Sequence, residues 1–205
     1  MALSEKHGLK LVAFILRSRK FVALWQNRQP KICLQGPEEG FSAMTTLQTF
    51  NLTIRPCSPE DSADFIALEH DPEVMRFLNG GHVDGHAQSR LDGTYLRPRG
   101  TEPYVWTVLR TQTSSFVGWV CLWPEDEKVA ELGYRLRRTE WGRGLASEAA
   151  SVLVDWGFDS LGYSKIIAST MTVNQASRRV LEKLGLQHIR TVSADWANHI
   201  PGGES

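Results

Sequence analysis

The segment WGRGLAS, Trp141 to Ser147, sets two glycines and an arginine against the start of an apolar-faced helical stretch that runs from Leu145 to Leu161. A helix start leaves up to about four backbone N–H groups without internal partners and carries roughly half a positive charge, so a turn open to a ligand there favours an anion. Gly142 and Gly144 lack Cβ atoms. Successive amides from Gly142 through Leu145 and Ala146 to Ser147 can therefore turn toward one anionic group as a nest, and Arg143 would add a charge. A plain helix-entry turn explains the same glycines when they are taken alone. A dinucleotide site wants G-x-G-x-x-G and an acid about twenty residues on. Here Ser147 stands at the third glycine place, and Gly162 to Lys165 offers no acid. The mononucleotide run G-x-x-x-x-G-K-[ST] is absent from the chain.

Other polar groups suggest less chemistry. Asn174 and Ser177 form N-x-x-S where a strand hands over to a helix, and an N-cap followed by a first-turn serine suffices to explain both. His82 and His86 have i, i+4 spacing, but the glycines of GGHVDGHAQ break any continuous helix and no third ligand is evident, so a loop is expected and no metal site. Trp106, Trp119 and Trp123 lie on strand-like runs and are expected to fill a core. Glu148 and Asp155 read as ordinary polar residues of a helix.

The elements that must position these groups follow from period and punctuation. LTIRP, from Leu52, is a short strand. SPEDSADFIALEH follows with Ser58 as N-cap, Pro59 at the first helical position and acids in the first turn. PEVMRFL and HAQSRLDGTYL continue as helical pieces around Gly80, Gly81 and Gly85. YVWTVLR, SFVGWVCLW and VAELGYRL are β-rich runs with short polar connections, which is the pattern of an antiparallel meander. A helix from Leu145 to Leu161, a strand from Lys165 to Thr170, a helix from Gln175 to Leu184 closed by Gly185 and a last strand LQHIRTV complete an α+β plan.

Composition bounds the rest. The chain has 205 residues, 41% hydrophobic and 22% charged, enough for one substantial core. Lys plus Arg and Asp plus Glu balance at 23 each, so the broad basic field that nucleic acid or an anionic membrane calls for is missing. Cys33, Cys57 and Cys121 are odd in number and lack CxxC spacing, which argues against a disulfide framework or structural zinc and fits a cytoplasmic protein. GLKLVAFILRSRKFVALW, near the start, is apolar, but Lys10, Arg17, Arg19 and Lys20 interrupt every window long enough to span a bilayer. Residues 1–43 read as an extension outside the core, with the domain proper spanning 44–205.

Several separated segments together match a coenzyme A pyrophosphate site. The chain resembles the GNAT superfamily of acetyl-CoA-dependent N-acetyltransferases, in particular the branch with the ribosomal-protein alanine N-acetyltransferases. WGRGLA places Gly144 and Ala146 in register with the motif [QR]-x-x-G-x-[GA], with Trp141 where Gln or Arg would stand, as is common in that branch. HDPEVMRFL, ELGYRL, ASEA and NQASRRVLEKLGL follow in the family's order, and the similarity runs from about Leu52 to Val192.

The resemblance implies a mixed, mostly antiparallel sheet flanked by helices, acetyl-CoA as cosubstrate, no metal, and an amine acceptor. It implies that Tyr134, Arg135 and Leu136 run beside the pantetheine as a strand would, and that Asn174 binds the cofactor arm. Ser177 is the candidate proton donor to the coenzyme A thiolate. Attack by an amine needs the neutral form, yet most amines are protonated near about pH 7. Glu131, on the strand that would flank the acetyl group and where the branch frequently has an acid, is the candidate base; a solvent-facing or arginine-paired strand glutamate is the competing explanation. A backbone N–H near Leu136 would polarise the thioester carbonyl. The expected reaction is direct attack in a ternary complex, with a catalytically silent acyl-CoA binder of the same fold as the alternative. The acceptor stays open between a protein N-terminus and small amines, as does the choice of monomer or homodimer. Family members continue past the strand matching LQHIRTV into a loop and one more strand, whereas this chain ends ADWANHIPGGES. The fold is therefore expected to lack that strand, which the extension, read as helical, is not expected to replace, and the cofactor half is expected to be better formed than the acceptor half.

Overall fold

The structure, a computed structural model, describes residues 10–17, 45–78, 98–99 and 102–193. In chain order its elements are β1 (Lys10–Leu16), β2 (Leu47–Gln48), β3 (Leu52–Pro56), a 3-10 turn (Pro59–Asp61), α1 (Ser62–Glu69) and α2 (Pro72–Met75). There follow β4 (Pro98–Arg99), β5 (Glu102–Pro103), β6 (Val105–Arg110), β7 (Phe116–Pro124), β8 (Val129–Leu136) and a 3-10 turn (Arg138–Glu140). The last elements are α3 (Leu145–Asp159), β9 (Lys165–Met171), α4 (Gln175–Lys183) and β10 (Gln187–Ser193). The histidine pair His82 and His86, the helical piece HAQSRLDGTYL and the segment ADWANHIPGGES lie outside the described residues.

Eight strands form one sheet in the order β10-β1-β9-β8-β7-β6-β3-β2, while β4 and β5 make a separate pair. Every neighbouring pair in the large sheet is antiparallel except β8 and β9. Side chains alternate across a strand, so the sheet carries two cores. On one face Val120, Leu122, Leu132 and Ile166 pack with Leu145, Ala149, Leu153 and Leu181 of α3 and α4. On the other, Val105, Trp119 and Cys121 pack with Phe65, Leu68 and Val74 of α1 and α2. Trp106 is buried edge-on to Trp156 with 5.3 Å between ring centroids, and Trp119 is buried in the second core, as expected of core tryptophans.

The reading of residues 1–43 as lying outside the core is corrected by β1. Lys10–Leu16 is antiparallel to both neighbours, with Leu11 opposite Met171 of β9 and Val192 of β10. Val12, Phe14 and Leu16 are buried in the larger core. A strand paired on both edges and covered on one face gains both backbone ladders and apolar burial. β1 thus sits between β9 and β10 as an integral strand of the large sheet.

Glu148, expected to be an ordinary helix residue, instead ties the β2–β3 turn to α3. Its carboxylate accepts from the Thr49 hydroxyl, from the Asn51 amide at 3.1 Å and from Asn51 Nδ2 at 2.9 Å. At the start of α1, Asp61 is buried and accepts from Arg55 Nη1 at 2.8 Å and Nη2 at 2.6 Å, from the Thr107 hydroxyl at 2.6 Å and from the Ser58 amide at 2.9 Å. Burial alone would raise the Asp61 pKa, but these donors overcome it and hold the carboxyl below its ordinary value. A depressed folded pKa contributes stability above the unfolded value, roughly 4, and loses it as pH falls through the folded value. The melting temperature is therefore expected to drop below about pH 4 in the wild type. Asp61→Asn should cost about 2 kcal/mol at neutral pH and flatten that acid limb, as read by thermal denaturation across pH.

Candidate active site

The parallel neighbours β8 and β9 pair only from Val129 to Glu131 against Lys165 to Ile167. Beyond that point β9 continues along β1, with Met171 opposite Leu11, while β8 continues along β7, with Leu136 opposite Gly118. Among the described residues, Leu132 to Leu136 therefore have no strand partner on the β9 side, and their backbone groups on that edge face a cleft. The cleft is part of a cavity of about 660 Å³.

Its mouth is the turn predicted to nest an anion. Gly142 has φ 74° and Gly144 φ 77°, the left-handed region that favours glycine. Gly144 is the N-cap of α3 and makes no side-chain capping bond, so the first amides of the helix are open to a ligand. A Cβ built at Gly142 or Gly144 would meet no protein atom within 4 Å, so the space beside this backbone is available to a ligand. Trp141, which stands where the motif carries Gln or Arg, fixes the turn: its indole Nε1 donates to the Leu136 carbonyl at 2.8 Å. The Arg76 guanidinium lies 5.9 Å from the Trp141 ring centroid.

The cavity brings together nearly all the residues singled out from the sequence. Glu131, Tyr134, Arg135, Leu136, Gly142, Gly144, Leu145, Ala146, Ser147, Asn174 and Ser177 all line it. Arg143 does not; its exposed guanidinium turns toward Glu140, 3.7 Å away. Asn174 Oδ1 accepts the Ser177 amide at 3.1 Å, so the N-cap reading holds. The Arg135 guanidinium pairs with buried Glu69 and lies 5.1 Å from the Trp119 ring centroid, which leaves the Arg135 backbone as the part available to a ligand.

Side-chain chemistry gathers at two places. Ser169 donates its hydroxyl to Glu131 Oε1 at 2.7 Å. The Tyr134 hydroxyl is 2.9 Å from Ser177 Oγ and 3.1 Å from the Ser177 carbonyl. Burial pushes the Tyr134 pKa up to about 12, against a smaller lowering by Ser177, so the phenol is a neutral donor at working pH. Sequence reasoning assigned Tyr134 a backbone role only, and its pairing with Ser177 follows from β8 and α4 meeting across 43 residues. Cys121 also lines the cavity, but burial pushes its thiol up to about 12 and keeps it protonated. Among the described residues no group of His, Cys, Asp and Glu is placed to hold a metal. No described helix is long and apolar enough to cross a membrane.

Residues 51–187 match the family model of the acetyltransferase (GNAT) domain. The chain belongs to the GNAT acetyltransferase family. Among curated proteins, the FsC-acetyl coenzyme A-N(2)-transacetylase of Aspergillus fumigatus is 33% identical over 172 residues, 79% of this chain and 73% of its own. Among solved structures, a GNAT-family acetyltransferase from Bacillus anthracis superposes with a TM-score of 0.62 at 23% identity, covering 69% of this chain and 83% of that one. A spermidine N-acetyltransferase from Vibrio cholerae, solved with CoA and spermine, gives 0.56 at 18% identity, covering 66% and 80%. GNAT acetyltransferases use acetyl-CoA as cosubstrate, so this acetyltransferase is an acetyl-CoA-dependent acyltransferase. The expected mixed, mostly antiparallel sheet with flanking helices is the fold observed.

Proposed function

We propose that this acetyltransferase moves the acetyl group of acetyl-CoA to a primary amine by direct attack in a ternary complex. The observation that carries the reading is the single cavity in which the open glycine turn, the unpaired edge of β8 and the Glu131–Ser169 pair meet. The amides of Gly142 to Ser147 take the pyrophosphate, and the free edge of Tyr134, Arg135 and Leu136 bonds the pantetheine amides as a neighbouring strand would. Asn174, at the opening of α4, adds a polar contact to the same arm. Arg143, outside the lining, contributes long-range charge only.

Glu131 takes the proton of the attacking ammonium, directly or through one water, and the neutral amine then adds to the thioester carbonyl. The carbonyl oxygen is polarised by a backbone N–H near Leu136. As the tetrahedral adduct collapses and the C–S bond breaks, the second nitrogen proton is relayed through the Ser177 hydroxyl, bonded to the neutral Tyr134 phenol, to the departing thiolate, so that Ser177 ends as it began. Direct attack is supported by Cys121, the thiol on the described lining, which is held protonated and is a poor nucleophile. The acceptor is a primary amine. An N-terminal alanine, which the likeness to the ribosomal-protein branch suggests, falls within that class, and the Aspergillus fumigatus relative is named as an N(2)-transacetylase.

The test is thiol release from acetyl-CoA with an alanyl peptide, alaninamide and spermidine as acceptors, with products read by mass spectrometry. At least one acceptor is expected to gain an acetyl group with one thiol released per acetyl. Ser177→Ala is expected to lower kcat by about tenfold while leaving the KM for acetyl-CoA near its wild-type value. Tight acetyl-CoA binding with no amine-dependent thiol release would leave a silent binder and overturn the reading.

A further inference from the structure

We infer that the N-terminal strand β1 supplies the acceptor side of the cavity, with Leu11 as a specificity-determining residue selecting a monoamine carried on an uncharged, apolar body. The inference rests on the transfer reaction proposed above. Leu11 of this strand lines the cavity beside Met171, its register partner on β9. Leu11, Ala13 and Ile15 alternate with the buried Val12, Phe14 and Leu16, so they stand on the sheet face opposite the larger core. Across β9 they meet Met171, Ser169 and Ile167. Ser169 is the donor to Glu131, so Leu11 and Met171 lie one step along the strands from the proposed base.

The charge pattern of the lining points the same way. Glu73 is paired with Arg76 at 3.2 Å, and Glu140 with Arg110 and Arg143. Among the described residues, Glu131 is then the lining carboxylate held by a hydroxyl and not by a cation. One such carboxylate serves one ammonium. A second ammonium on the acceptor would be placed against the side chains of Leu11 and Met171, which themselves offer no charge or strong hydrogen-bond acceptor for the water it loses. An apolar group there instead gains contact.

Steady-state kinetics of the full chain at saturating acetyl-CoA, with alaninamide, leucinamide, phenylalaninamide and spermidine, tests this. The wild type is expected to favour the amino acid amides over spermidine. Leu11→Ala should raise kcat/KM for phenylalaninamide relative to alaninamide by about tenfold, and Leu11→Phe should shift the ratio the other way. Leu11→Asp should raise spermidine relative to leucinamide. The KM for acetyl-CoA should stay unchanged in all three. Ile15→Ala, on the same strand and face but off the lining, should lower stability while keeping the wild-type ranking. If the Leu11→Asp protein does not fold, the Ala and Phe variants carry the test. Folded Leu11 variants with the wild-type ranking would overturn the inference. A wild type that turns over no amine at all would overturn the transfer reaction itself, a separate and earlier failure.

Discussion

Gly144→Val is expected to weaken acetyl-CoA binding by at least about tenfold, close to 1.4 kcal/mol, in a protein that keeps its fold. The reasons are local. Gly144 holds φ 77° at the N-cap of α3, a conformation that a β-branched residue tolerates poorly, so the turn would relax away from its present shape. The added Cβ would enter open space, since a Cβ at this position has no protein atom within 4 Å. It would occupy the space beside amides that have no side-chain cap. Gly162 provides the control: its φ is 71°, its surroundings are equally empty, and it is absent from the cavity lining. Gly162→Val should therefore show a comparable loss of melting temperature with acetyl-CoA affinity unchanged. Titration calorimetry on the two variants separates ligand obstruction from backbone strain. Wild-type affinity in folded Gly144→Val would remove the pyrophosphate from this turn.

Much of the cofactor half was legible because its signals are local. VAELGYRL is strand β8 residue for residue, Asn174 caps α4, and the open glycine turn falls where two glycines precede an apolar-faced helix. The N-terminal strand was not legible, for a physical reason. LVAFIL, inside β1, is a continuous apolar run with no period-2 alternation, although only Val12, Phe14 and Leu16 are buried, and periodicity cannot separate such a run from a buried helix segment. Its partners, Ile166 to Met171 and Gln187 to Ser193, lie some 150 residues or more along the chain, and nothing in the run itself names them. Glu148 was misread for the same reason: its partners Thr49 and Asn51 belong to a turn that only the sheet brings to α3. Trp141 shows a different limit. Its departure from the family motif was visible, but the bond from its indole to the Leu136 carbonyl depends on the path of the intervening turn.

Glu131→Gln should lower kcat near neutral pH by about a hundredfold or more, within the range for loss of a positioned base, with little change in acetyl-CoA affinity. The substitution is close to isosteric. The Ser169 hydroxyl can still donate to the amide oxygen, so a purely structural role for that 2.7 Å bond would survive it. What glutamine cannot do is accept a proton. The loss should therefore depend on how much of the acceptor already exists as free amine. An α-amino group titrates near about 8 and a lysine-like amine near about 10. With an amino acid amide, the ratio of wild-type to variant kcat/KM should shrink as pH passes the amine's own pKa, whereas a structural defect would keep the ratio constant. With a more basic amine the convergence should move to correspondingly higher pH, because the curve then follows the substrate and not the enzyme. Measuring both pH profiles assigns the proton transfer: a ratio that stays flat across pH, or a variant with full activity at neutral pH, would return Glu131 to the role of a surface residue bonded to Ser169.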